Sequence, residues 1–240
     1  MAKSNMIQKK LLVLLTSCLI TYISVGQNTK FKNEGGIKIG YNWGGFKNLT
    51  LAPVSQYNYQ SPVFEINYLR HTKKYRIVEL KYQHWKSELN SERIPALDLE
   101  YKSDLLSLNV LYPVFDKNKW VLHFGFFTQL EAHLYGGTIA GELRQRLDFS
   151  SRVAYQINEK HRIISQLSIP VIFFVHGKLD SDIYLPDKYQ GYIFSVEYQY
   201  ALSHRFSIVS QFRSRYDRLQ SDNIYRELQN RIAAGINFKF

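Results

Sequence analysis

The segment RIAAGINFKF (231–240) places Ile232, Ala234, Ile236, Phe238 and Phe240 on every second residue. Successive side chains of an extended strand point to opposite faces, so this period of two predicts a strand with one apolar and one polar face. The same pattern recurs upstream and dominates the chain. It predicts ten strands near 36–44, 61–70, 75–86, 98–112, 119–132, 142–157, 161–174, 190–201, 205–216 and 228–240. Apolar faces include Val78, Leu80 and Tyr82; Leu106, Leu108, Val110 and Tyr112; Trp120, Leu122, Phe124 and Phe126; and Tyr192, Phe194, Val196, Tyr198 and Tyr200. The opposite faces carry both signs of charge: Glu79, Lys81, Arg146, Asp148, Arg152, Glu197, Arg213, Arg215 and Arg231. Opposite charges on neighbouring strands can pair across a ladder.

Connections after the second, fourth, sixth and eighth strands are short: HTKK, PVFDKN, NEK and LSH. The others mostly run longer, 44–60 and 175–189 above all. An even number of antiparallel strands, with short turns at one end and long loops at the other, predicts an all-β, closed, up-and-down barrel. Ten strands are expected, with eight or twelve as alternatives. Alternation alone does not say which face points outward. A soluble, lipocalin-like barrel turns its apolar face inward; a membrane barrel does the reverse.

The aromatic residues favour the membrane sense. Tyr68, Tyr112, Trp120, Tyr155, Tyr200, Phe206 and Phe240 fall on the apolar face beside the short turns, and Tyr82, Tyr192 and Tyr216 fall on it toward the other end. Two such bands match two membrane–water interfaces. Backbone amides in lipid must be paired within the protein, which a closed sheet achieves.

The last strand also resembles the closing signature of Gram-negative outer-membrane barrels: a polar residue, then glycine two on, then an aromatic or apolar residue and a terminal aromatic. Ala233, Gly235, Phe238 and Phe240 occupy those positions, with Ala233 departing from the usual polar residue. In architecture the chain looks like the small members, of eight to twelve strands. The resemblance implies that Gly235, Phe238 and Phe240 are read by the barrel-assembly machinery. Ten strands is also the count of the omptin proteases. That family uses acidic pairs and an Asp–x–His pair; LDLE supplies Asp98 and Glu100, but Asp–x–His is absent.

The N-terminal region fits export. MAKSNMIQKK is basic, LLVLLTSCLITYIS is apolar, and Ser24 and Gly26 are small residues at a cleavage spacing. This layout predicts a signal peptide over 1–26 and a single barrel domain over 27–240. LTSC (15–18) offers the alternative of a lipidated Cys18. Cys18 is the only cysteine, so a chain cut after Gly26 has no thiol chemistry and no disulfide.

Sites are fewer. Glu131 and His133, with Gln129 beside them and His123 lower, share the polar face of the fifth strand. A His beside a carboxylate suits a general base and its orienting partner, and equally suits a polar network filling a lumen. His176, Asp180 and Asp182 form a loop group with hard-oxygen donors for a divalent cation, or are simply solvated. His84 lies on the apolar face near the outer rim, where a lipid hydrolase would also need a serine. Nucleophile-elbow, zinc-protease, phosphate-loop and dinucleotide motifs are absent, and no cofactor is expected.

The net charge is +11 and the pI about 9.5. Export removes nucleic acid as a partner. Lys86, Arg93, Lys178, Lys188, Arg218 and Arg226 near the loops would then face lipid and lipopolysaccharide phosphates. The expectation is an outer-membrane barrel with a polar, mostly filled lumen and a structural, adhesive or narrow-channel role. The alternatives are a rim enzyme near Glu131 and His133 and a soluble ligand-binding barrel.

Overall fold

Alternating side chains become eleven antiparallel strands. They are β1 (Lys32–Asn48), β2 (Tyr57–His71), β3 (Ile77–Ser91), β4 (Leu99–Lys117), β5 (Trp120–Tyr135), β6 (Ala140–Gln156), β7 (His161–His176), β8 (Ser181–Tyr184), β9 (Tyr189–Ala201), β10 (Phe206–Leu219) and β11 (Tyr225–Lys239). The computed structural model describes residues 32–48, 56–72, 76–94, 98–136, 140–176, 181–220 and 225–240. The expected export signal, with Gly26 and Cys18, lies outside the described residues, as does Asp180.

Each strand pairs with the next along the chain, except that β9 pairs with β7 rather than with β8, and β1 pairs with β11 to close the ring. The wall has ten strands, because β8 is a short addition within the β7–β9 connection. It pairs with the outer end of β7, from Phe173↔Tyr184 to His176↔Ser181. Below it, β9 takes over from Ser168↔Ile193 to His161↔Tyr200. At the seam, the backbones of Asn33 and Phe240 exchange two hydrogen bonds, of 3.0 and 2.9 Å.

Strands run beyond the expected ends, mostly toward the long loops. β3 continues to Ser91, β10 to Leu219, and β11 starts at Tyr225. The inward side chains there (Leu89, Leu219, Tyr225) are apolar and pack together, so the ladder persists above the charged zone. The short β4–β5 turn needs two residues, and Asn118 takes a positive φ of 57° in it. One irregularity in the β6–β7 ladder sets the faces of β7. Leu147 opposes Ile172 while Asp148 opposes Pro170, leaving Val171 as an extra residue. A bulge tolerates proline's missing N–H and shifts the alternation by one. Ser168 therefore faces inward below it and Phe173 faces inward above it.

The apolar faces point outward on every wall strand. Ile39, Ile232 and Ile236 are 66%, 54% and 55% exposed, and Phe64, Leu106, Phe126, Phe149, Ile169 and Phe212 continue the belt. The charged faces point inward and are buried. This is the inverse of a soluble ligand-binding barrel. Rings crowd the short-turn end of the belt: Trp120 on Tyr155 at 4.4 Å, Phe206 on Phe238 at 5.0 Å, and Phe238 on Phe240 at 5.8 Å. Tyr82, Tyr192 and Tyr216 mark the other edge.

Candidate functional site

The lumen is filled in layers. Alternation brings every second residue of ten strands to one axis, and the sheet's stagger sets their height. Near the short turns, Leu69, Ile77 and Leu111 form a small apolar floor. Above it, Glu79 meets Lys81 at 3.1 Å and Arg152 at 3.5 Å. Next, Lys38 bridges Glu65 (3.2 Å) and Glu197 (2.6 Å), and Arg231 also reaches Glu65 (2.7 Å).

Higher, Arg146 holds Asp148 (2.7 Å) and Asp217 (2.8 Å), and Arg215 pairs with Glu131 (2.7 Å) and Asp217. Arg144 takes Glu142 at 2.7 Å, and its guanidinium lies 4.0 Å from the centre of the Tyr225 ring. Eight of the nine expected lumen residues take part in these ion pairs, and Arg213 hydrogen-bonds Gln83 and Gln129 instead. Lys38, Glu65, Arg144, Asp217 and Glu227 are further members that sequence reasoning missed. A signal was available for Lys38 and Glu65, which stand between outward apolar residues (Ile37 and Ile39, Phe64 and Ile66); Arg144, Asp217 and Glu227 each have a polar or charged neighbour on one side.

Glu131 and His133 sit where this network meets an aromatic layer. Both are 1% exposed. His133 Nε2 lies 2.9 Å from Glu131, while Nδ1 lies 2.8 Å from the Tyr101 hydroxyl and 3.1 Å from Ser103 Oγ. The carboxylate can only accept, so Nε2 donates to Glu131 and Nδ1 accepts from the hydroxyls. Tyr101 also stacks on the imidazole at 5.7 Å. Every polar atom of the ring is thus engaged. His123 is buried lower on β5, apart from this pair.

Above His133, Phe46, Tyr57, Tyr59, Trp85, Leu89, Tyr101, Tyr135, Tyr189 and Tyr225 form a buried cluster across the barrel. Tyr101 stacks on Tyr135 at 5.4 Å and Phe46 on Tyr57 at 5.5 Å. The hydroxyls of Tyr59 and Tyr225 donate to Glu227, tying the aromatic layer to the charges below.

On the outer wall, His84 and Asp104 are direct partners across β3 and β4. His84 Nδ1 and the Tyr82 hydroxyl lie 2.9 and 2.6 Å from the same Asp104 oxygen. Further out, Lys86 and Lys102 each meet Glu100 at 3.0 Å. That trio is beyond the Tyr82 band. Hydrogen bonds from Lys102, then Lys86, hold the Glu100 carboxyl below the usual carboxylate range. Asp98 accepts from the Ser91 backbone N–H at 2.7 Å, so LDLE acts locally at the rim. Asp182 accepts from Tyr184 at 3.0 Å, and His176 is exposed at the end of β7. Among the described residues, no group of three or more His, Cys, Asp or Glu is placed to hold a metal ion.

No family model matches the chain, and no curated protein matches it in sequence. Solved structures do match in shape. The outer membrane protease OmpT from Escherichia coli aligns over 89% of this chain and 99% of its own, with a TM-score of 0.60 and 9% identity. The translocator domain of the autotransporter NalP from Neisseria meningitidis aligns over 97% of both chains, with a TM-score of 0.43 and 8% identity. An outer membrane channel from Pseudomonas putida F1 aligns over 90% of this chain and 98% of its own, at 0.45 and 10%. The OmpT likeness is one of fold: a closed, ten-stranded antiparallel barrel.

Proposed function

We propose that this chain is an outer-membrane barrel with a closed lumen, whose role is structural or adhesive and exercised from its outer rim. The observation that carries the reading is the buried aromatic layer over the buried ion-pair network. Ten strands enclose little space, and here large side chains occupy it; aqueous channels belong to wider barrels. The location is supported by the outward apolar belt, its two aromatic edges and the OmpT-like fold. Lys86, Lys102 and Glu100 then lie at headgroup height, facing lipid and lipopolysaccharide.

Catalysis at the wall has one observation in its favour, the exposed Tyr82–Asp104–His84 set. The outward neighbours by register are Phe64 beside His84 and Ala132 beside Asp104, so no serine stands next to the imidazole. The set is better read as an interface anchor.

The test combines cell fractionation, gel migration and bilayer recordings. The expected result is outer-membrane protein that migrates compactly until boiled and is electrically silent. Steady conductance from folded protein would overturn the closed lumen, and recovery in the soluble periplasmic fraction would overturn the location.

A further inference from the structure

β10 and β11 place four inward side chains side by side: Arg213 opposite Arg231, and Arg215 opposite Gln229. All are buried, at 9%, 4%, 2% and 7% exposure respectively. Each holds N–H donors without an acceptor: Nε of Arg213, Nη2 of Arg215, Nε and Nη1 of Arg231, and Nε2 of Gln229. A patch of unsatisfied donors and adjacent like charges is unfavourable in a dry interior, because each donor has lost water without replacement.

Two of the three guanidiniums have carboxylates: Arg215 meets Glu131 and Asp217, and Arg231 meets Glu65. Arg213 differs. Its hydrogen bonds go to the amide oxygens of Gln83 (3.3 Å) and Gln129 (3.0 Å). Its strongest charged neighbours are Arg231 and Arg215. Glu65, the carboxylate acting on it most, is already shared by Lys38 and Arg231. Arg213 therefore makes no ion pair of its own and sits among N–H groups without a partner.

We propose that this patch binds a small inorganic monoanion of chloride size inside the lumen. A single negative charge balances Arg213, and an anion accepts several N–H bonds at once. Asn42, also opposite Arg231, has its side-chain Oδ1 unpaired. Burial under the aromatic layer excludes phosphate esters and other bulky anions. The anion is a structural ion that locks β10 and β11 to the rest of the network, and the site stands whatever the rim does.

Bromide is the probe. Crystals of the wild-type protein grown in sodium bromide are expected to show anomalous density within hydrogen-bonding reach of Arg213 and Arg231. Water or protein atoms there, with no bromide, would overturn the proposal. In solution, the unfolding midpoint is expected to be higher in sodium chloride than in sodium gluconate at equal ionic strength. Arg213→Gln and Gln229→Leu should lose that difference. If both folded variants keep it, the proposal fails; if neither folds, the wild-type bromide experiment decides.

Discussion

Phe173 and Tyr189 stack face to face, with ring centres 3.9 Å apart and planes 6° from parallel. The contact joins β7 to β9 above the point where their ladder has ended, since β7 there pairs with β8 instead. Side chains thus replace backbone pairing in holding this part of the wall together. Phe173→Ala should cost about 3–5 kcal/mol, the usual range for truncating a buried aromatic. Because β9 has no ladder to β7 at this height, the loss should also open the lumen. Intermittent conductance in bilayers is expected from the variant and not from the wild type. An equally silent variant would show that the rest of the aromatic layer suffices.

Glu65 accepts from both Lys38 and Arg231 in the middle of the lumen. Removing one partner of a buried ion pair leaves the other charges uncompensated, at about 3–5 kcal/mol. Glu65→Gln should therefore lower the urea midpoint strongly while preserving shape. Pairing it with Lys38→Met should recover part of the loss, because a cation and an anion then leave together. A double-mutant cycle read by tryptophan fluorescence measures this; simple additivity would show that Lys38 and Glu65 are not coupled.

The wall was legible in the sequence because a period of two fixes which residues share a face. The interior was less so. Trp85 and Leu89 lie on the same inward face as Glu79 and Gln83, so their burial depends on height along the strand, which alternation does not encode. The inward turn of Phe173 depends on the extra residue at Val171, visible only once β6 supplies the register. β8 is four residues long, too short for a periodic signal. Glu131 and His133, two residues apart on one strand, meet at 2.9 Å. Their enclosure by Tyr101 and Ser103 comes from β4, a neighbour that sequence spacing does not reveal.

His133 provides a test of the network reading of that pair. Replacing it with alanine leaves Glu131, Tyr101 and Ser103 each short of one partner, at about 1–3 kcal/mol for each buried group so orphaned. Arg215 still holds Glu131, so the total should lie at the low end of the summed cost. His133→Gln can keep one donor and one acceptor, and should fall between wild type and alanine. Thermal unfolding followed by circular dichroism ranks the three proteins. A His133→Ala midpoint equal to wild type would remove the structural role and return attention to chemistry.

Gly235 has a packing reason of its own, alongside its position in the closing signature. A Cβ there would stand 2.1 Å from the Ile37 carbonyl oxygen and 2.8 Å from the Lys38 Cα, both backbone atoms of β1. Neither can move without shifting the β1–β11 ladder, which is the seam that closes the barrel. Gly235→Val should therefore separate the strands at this point and expose unpaired amides, which no solvent in a bilayer core satisfies. Phe238→Ala leaves the ladder untouched, because that side chain points outward onto Phe206 and Phe240. Refolding purified protein into detergent, without any assembly machinery, distinguishes the two. Gly235→Val should yield no heat-modifiable band, while Phe238→Ala should refold and lose material only in cells. Equal refolding of both would place the role of Gly235 in recognition rather than in the seam.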